Sequence, residues 1–280
     1  MLTLGNERIL EVPVVFSCNL NCNYCAHLSQ YMGQVPPVSL DALEQQFRDW
    51  SPRLVPRCIR IIGGEPLLHP NIEQVIELFA KYWGTEVSPL NSIELITNGM
   101  ALNKISVRFY DLLERHNILL RVTLHHASFH DKLHTFLDGV KSRKHVSDYT
   151  EASFIQYYHI ENGKPHLFTS DSKQSFDSCN IKRLCHELVD NKLYHCSVLA
   201  YFRKAHECGI IDDPRVFDYT PATPDMDDEE LQAWYHSDFS NICGVCPEHK
   251  PAVYVCKWSD ATRVADVYLK DTHKRMSRNG

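Results

Sequence analysis

Cys18, Cys22 and Cys25 fall within one short segment, Ser17-Cys18-Asn19-Leu20-Asn21-Cys22-Asn23-Tyr24-Cys25-Ala26-His27. Such close spacing lets a single tight loop wrap three thiolates around one cubic iron-sulfur cluster, for which cysteine is the usual ligand. Three ligands leave the fourth iron open, and an open iron is a place for chemistry. Two plainer readings compete. Zinc in a closed structural site takes four ligands, and His27 would supply the fourth; alternatively, the three are buried free thiols.

The flanks weigh on that choice. Ile9 to Phe16 is an apolar run of strand length that ends where the cysteines begin, and Gly63-Gly64-Glu65-Pro66 directly follows the apolar stretch Ile59-Arg60-Ile61-Ile62. Glycines without side chains let a ligand come close to the backbone, and the Glu65 carboxylate, with neighbouring carbonyls, is suited to accept from an ammonium group. Without the cysteine loop, Gly-Gly would read as a simple turn. Together the two motifs resemble the radical S-adenosylmethionine (radical SAM) superfamily. The resemblance implies a 4Fe-4S cluster on Cys18, Cys22 and Cys25, with the amine and carboxylate of S-adenosylmethionine on the open iron. It also implies that Gly63, Gly64, Glu65 and Pro66 hold the amino group. Asn98, Thr123 and His125 then reach the ribose and carboxylate, and Tyr24 stands where the backbone meets adenine.

These residues need a frame that gathers them. Leu40, Leu43, Phe47 and Trp50 recur at helical spacing behind a Ser39 cap. Asn71 is the expected cap of a helix whose apolar face is Ile72, Val75, Ile76, Phe79 and Trp83, with Gln74 at the capping-box position. Ile93 to Ile96 reads as a strand ending in Thr97-Asn98-Gly99. A helix from Asn103 to His116, a strand from Leu119 to Leu124, a helix from Asp131 to Ser142 and a strand from Ser153 to Tyr158 follow. Repeated strand-helix units imply an α/β fold with a parallel sheet. The resemblance implies an open, partial (β/α)6 TIM-like barrel over residues 1-160, with its site at the C-terminal strand ends. Pro13 suggests that the first strand lies on an edge, where proline is tolerated. His126, His130 and His134 share a helical spacing but lack a matching carboxylate or cysteine, and read as a solvated helix start.

Residues 161-178 are polar and turn-rich, an expected connector, and residues 179-280 hold Cys179, Cys185, Cys196, Cys208, Cys243, Cys246 and Cys256. Leu188 to Tyr194 reads as a hairpin with Asp190-Asn191 at its tip, its second strand closed by Cys196. A helix from Asp225 to Trp234 leads to Cys243-Gly244-Val245-Cys246. This layout resembles the SPASM or shorter twitch extension of radical SAM enzymes. By that resemblance Cys179, Cys196, Cys243 and Cys246 hold one auxiliary 4Fe-4S cluster, with Cys185 as an alternative to Cys179. A four-cysteine zinc knuckle is the competing chemistry. Cys185, Cys208 and Cys256 are left as thiols able to return a hydrogen atom, Cys185 foremost, while Cys58 reads as a structural thiol at the barrel bottom.

Composition narrows the class. The chain has 280 residues, 44% of them hydrophobic, with net charge -6 and eleven cysteines at metal-binding rather than disulfide spacings. No run of 18 apolar residues calls for a membrane span, the start lacks a signal-peptide pattern, and the negative charge argues against a general nucleic-acid surface. A cytoplasmic enzyme is expected, and the resemblance implies an oxidoreductase or epimerase. By resemblance it cleaves S-adenosylmethionine to a 5′-deoxyadenosyl radical, takes electrons from a flavodoxin or ferredoxin, and dehydrogenates or epimerises a sugar, aminocyclitol or aminoglycoside-like molecule. The runner-up is a peptide or protein maturase, disfavoured because the first barrel strand begins near residue 9. A non-catalytic zinc-binding interaction module is the reading from a different class.

Overall fold

The computed structural model describes residues 2–4, 9–22, 24–84, 92–123, 146–149, 153–179, 181–182, 184–249 and 254–255. In chain order the strands are β1 Leu2–Thr3, β2 Ile9–Val15, β3 Leu54–Val55, β4 Cys58–Gly63, β5 Ser92–Thr97, β6 Ile118–Thr123, β7 Val146–Tyr149, β8 Ser153–Phe154, β9 His159–Glu161, β10 Lys164–His166, β11 Cys185–Val189, β12 Lys192–Tyr194 and β13 Tyr254–Val255. The helices are α1 Leu40–Trp50, α2 Ile72–Trp83, α3 Val107–Arg115, α4 Ser172–Asp177, α5 Ser197–Glu207 and α6 Asp228–His236.

Seven strands form one sheet in the order β12-β11-β2-β4-β5-β6-β7, parallel throughout except for β12 against β11. Outside a bulge in β2, its strands alternate between two faces. Leu10, Val12, Ile59, Ile61, Ile93, Leu95, Ile118, Leu120 and Leu188 join one core with Phe47 and Trp50 of α1, Phe79 and Trp83 of α2, and Phe109 of α3. The residues between them face the other way. Period two in the strands and 3.6 in the helices are thus satisfied at a single interface, with Phe47 against Phe79 edge to face at 4.7 Å. Helix α1 begins where expected, the Ser39 hydroxyl accepting from the Ala42 amide at 3.2 Å.

Several boundaries differ from the expectations. Asn71 makes no side-chain cap on α2; its amide instead donates to His69 Nδ1 at 3.1 Å. Helix α3 starts behind Ser106, whose hydroxyl caps Phe109, because the Leu102–Lys104 stretch coils as a separate 3-10 turn. The neighbour of β6 is Val146–Tyr149, while Ser153–Phe154 pairs antiparallel with Tyr254–Val255. The stretch 161–178 is more than a connector, since it contains β10 and α4.

The largest correction concerns β2. It lies inside the sheet, between β11 and β4, so Pro13 is not on an edge strand. Proline has no N–H to donate. The ladder to β11 accordingly stops at Glu11, and the ladder to β4 slips between Pro13 and Val15, a bulge that absorbs the missing donor. The β11–β12 hairpin has the expected tip, with Asp190 and Asn191 at φ 49° and 60°, and α1 holds that tip. Gln46 Oε1 accepts from the Asn191 amide at 2.9 Å, and Asp49 accepts from Asn191 Nδ2 at 2.7 Å. Cys196 follows the hairpin by two residues and stands at the start of α5 rather than in a strand. Helix α6 begins three residues later than expected, behind a full capping box of Asp227 and Glu230.

Candidate active site

All the parallel strands end at one rim, and the loops after β2, β4 and β5 meet there. Gly63 and Gly64 allow that meeting. A Cβ on Gly64 would lie 2.0 Å from the Ser17 carbonyl oxygen, and one on Gly63 would lie 2.0 Å from the Val15 carbonyl oxygen, where Gly63 also holds φ +151°. The glycine pair admits the chain that carries the cysteines. The crossing is closed by Gly64 N donating to Val15 O at 2.8 Å and Glu65 N to Ser17 O at 3.0 Å.

Glu65 ends this crossing and begins the next turn. Its side chain caps the 3-10 turn Pro66–Leu68, accepting from Leu67 N at 3.0 Å, with Pro66 at the first turn position that needs no donor. The same carboxylate accepts from the Thr97 hydroxyl at 2.7 Å and from Asn98 N at 2.8 Å. Glu65 is 1% exposed. Burial pushes its carboxyl up to about 7, against the pull of the bonds from Asn98, Thr97 and Leu67. Through these bonds it locks the loops after β4 and β5 together.

Asn98 continues that lock to the cysteines. Its Nδ2 donates to Asn19 Oδ1 at 2.7 Å and approaches Cys18 Sγ at 3.6 Å, while its Oδ1 accepts from Met100 N at 2.9 Å. Cys18 Sγ also accepts from Leu20 N at 3.4 Å. Cys18, Cys22 and Cys25 sit with Leu20 and Met100 in one small apolar cluster. Burial pushes the Cys18 and Cys25 thiols up, so the bare site disfavours thiolates. Iron supplies the positive charge that such ligands need to deprotonate, and the N–H donors on Cys18 are those that stabilise a ligated sulfur. The donor set thus fits a thiolate-bound cluster.

His27 is anchored beside the loop. Its Nδ1 donates to the Gly63 carbonyl at 2.7 Å and its ring stacks on Tyr201 at 4.3 Å, contacts that fix the ring between the end of β4 and α5. Burial holds its pKa below the ordinary imidazole value. Tyr24 takes the left-handed conformation, φ 58°, with its ring 5.8 Å from Tyr158. Thr123 closes β6 at the same rim. His125, His126, His130, His134 and Cys256 lie outside the described residues.

A second set of thiols gathers at the start of α5. Cys179, Cys196, Cys243 and Cys246 line one apolar-walled cavity with Tyr157 and Phe239. Cys185 is not among its lining. That residue stands at the first pair of β11, level with Ile9 and, through it, with Cys58, at the N-terminal ends of the parallel strands. Cys208 is exposed at the end of α5. Among the described residues no three or more His, Cys, Asp or Glu are grouped to hold a single metal ion.

Sequence reading passed over a row of charges on the sheet face turned away from α1–α3. Glu11, Arg60, Glu94 and Arg121 each stand between two buried apolar neighbours. An apolar-charged-apolar triplet repeated in four strands was the available signal.

A family model described as Radical SAM superfamily matches residues 12–153, just over half of the chain. The chain is 34% identical over 125 residues to a GTP 3′,8-cyclase of Nitrobacter hamburgensis, covering 44% of this chain and 35% of that one. It is 28% identical over 100 residues to the GTP 3′,8-cyclase of Aquifex aeolicus, covering 35% and 29%. The chain thus spans about a third of the length of these curated relatives. The crystal structure of BtrN in complex with AdoMet and 2-DOIA superimposes with a TM-score of 0.53 at 15% identity, over 89% of this chain and 93% of that one, a likeness of fold. Among the described residues no helix is long and apolar enough to cross a membrane.

Proposed function

The chain belongs to the radical SAM superfamily, and from that premise we propose that it modifies a small polar molecule by hydrogen abstraction, with Cys18, Cys22 and Cys25 holding a 4Fe-4S cluster. S-adenosylmethionine, bound at that cluster's open iron, supplies a 5′-deoxyadenosyl radical that takes hydrogen from an unreactive carbon. The observation that carries the reading is the continuous set of contacts from Glu65 through Asn98 to Cys18, which ties the cysteine loop and the Gly63–Pro66 turn into one rigid rim. In this reading Gly63 to Pro66 shape the place of the cofactor's amino group, Glu65 by fixing the rim. Asn98, Thr123 and His125 serve its ribose and carboxylate, and Tyr24 its adenine. The parallel strands β2 and β4–β7 form the partial barrel of residues 1–160, and β11 extends their sheet from beyond it.

Cys179, Cys196, Cys243 and Cys246 hold a second 4Fe-4S cluster in a twitch-like unit over residues 179–280. Support comes from the one cavity that all four line, without Cys185. The second cluster offers an electron acceptor, so dehydrogenation is preferred to epimerisation. A cytoplasmic setting with a flavodoxin or ferredoxin as donor suits such chemistry.

The test is anaerobic reconstitution followed by iron and sulfide counting. About eight irons per chain, four for each cluster, and 5′-deoxyadenosine on reduction are expected. Bound zinc without either would refute the reading in favour of a zinc module. Turnover in deuterated water separates the outcomes: an oxidised product without solvent deuterium at carbon means dehydrogenation, and deuterium at carbon means a thiol donor.

A further inference from the structure

Four charged residues occupy one row across the sheet. The register aligns Glu187 with Glu11, Glu11 with Arg60, and Arg60 with Glu94. All four alternate with residues packed against α1–α3, so they share the opposite face. Arg60 donates from Nη1 to Glu11 at 3.2 Å and from Nε to Glu94 at 3.1 Å, and Arg121 donates from Nη2 to the other oxygen of Glu94 at 2.7 Å. One carboxylate therefore grips two guanidinium groups side by side. The side chains of Glu11 and Glu94 are 7% and 6% exposed, whereas those of Arg60 and Arg121 are 25% and 24% exposed. A solute reaching this face meets guanidinium N–H donors with the carboxylates behind them.

The height of the pair suits a substrate. Arg60 lies three residues before Gly63, and Arg121 two before Thr123. At about 3.3 Å per residue the guanidinium carriers stand roughly 7–10 Å below the rim that bears the cofactor loops. Charge balance then selects the ligand. The two arginines are offset by Glu11 and Glu94, and Glu187, fully buried beside Glu11 and Tyr201 with its carboxyl pushed well above the usual value by that burial, adds no positive charge. Guanidinium groups only donate, so the ligand must bring acceptor oxygens. A phosphate would have to shed its water for a platform with no net positive charge, which costs more than it returns.

We infer that Arg60 and Arg121, bridged by Glu94, are the substrate-binding platform of this site, and that it selects an uncharged, hydroxyl-rich small molecule over a phosphorylated one. Glu94 is a positioning residue, acting through both arginines. The inference rests on the small-molecule reading above.

Calorimetric titration of the full reconstituted chain, loaded with S-adenosylmethionine, tests it with myo-inositol and glucose, their phosphate monoesters, and GTP as probes. At least one uncharged polyol should bind ten times more tightly than its phosphate ester and than GTP. Arg60→Lys and Arg121→Lys keep the charge but lose the planar fork, and should each weaken polyol binding tenfold or more, with iron content and melting temperature confirming the fold. Glu94→Gln should weaken polyol binding and, by leaving one positive charge unopposed, shift the preference towards the phosphate ester, which a purely structural role would not do. Tighter binding of phosphate esters or GTP to the unmodified chain, no polyol binding, or unchanged binding in both lysine variants would overturn the inference. Failure of the unmodified chain to form 5′-deoxyadenosine would instead overturn the radical reading.

Discussion

Gly64→Ala separates two accounts of the Gly63-Gly64 pair. If these glycines exist to admit a ligand, the variant folds normally and loses only cofactor binding. The structure adds a steric reason of its own. The new methyl group would lie 2.0 Å from Ser17 O, 2.4 Å from Ser17 C and 2.6 Å from Phe16 O, all backbone atoms without a rotamer to yield. Against the roughly 3.5 Å at which non-bonded heavy atoms rest, the loop must retreat by more than 1 Å. That retreat breaks the hydrogen bonds from Gly64 N to Val15 O and from Glu65 N to Ser17 O. Two net hydrogen bonds at about 1 kcal/mol each and overpacking of about 1–3 kcal/mol give a loss of about 3–5 kcal/mol, or on the order of 10 °C in melting temperature for a chain of this size. The assay is thermal unfolding of the metal-free chain by circular dichroism. Gly209→Ala is the control, since its position has φ +71° but nothing within 4 Å of the added methyl group, so it carries only the left-handed penalty of about 1–2 kcal/mol. Equal melting temperatures for Gly64→Ala and the unmodified chain would refute the close-crossing argument and restore the ligand-access account.

Three further outcomes are expected. Alanine at Cys179, Cys196, Cys243 or Cys246 should each lower reconstituted iron by about half, one cluster of two, while Cys185→Ala leaves it unchanged by iron assay. Asn98→Ala removes the bond to Asn19 and the approach to Cys18; it should loosen the cysteine loop and speed loss of iron from the first cluster to a chelator several-fold, followed by absorbance. Glu187→Gln should stabilise the chain more as pH rises. Burial and neighbouring Glu11 raise the folded carboxyl well above its usual value. The folded chain therefore holds a proton that the unfolded chain releases above about pH 4.5, and stability drains away as pH increases. The neutral amide escapes this, so the difference in melting temperature between variant and unmodified chain should widen from pH 5 to pH 8.

What could be read from the residues alone was local. The Cys18–Cys25 spacing, the Asp190-Asn191 tip, the Ser39 cap and the apolar faces of α1 and α2 all depend on groups a few positions apart, where backbone geometry leaves few choices. Elements whose ends depend on a remote partner were misjudged. The strand beside β6 falls at Val146–Tyr149 because the register of β6 selects it, and Pro13 sits inside the sheet because β11 arrives from more than 170 residues later.

The tertiary structure added what the motifs touch. Glu65 reads in sequence as a partner for an ammonium group, and in the fold its carboxylate also joins Leu67, Thr97 and Asn98, contacts that exist only once β4 and β5 lie side by side. Choosing Cys179 over Cys185 in the cavity, and lining up Glu187, Glu11, Arg60 and Glu94, likewise required strands from distant parts of the chain to pair. Sequence spacing places thiols within reach of one another along a loop, but only packing in three dimensions places a carboxylate behind a guanidinium, because charge balance is a property of neighbours in space.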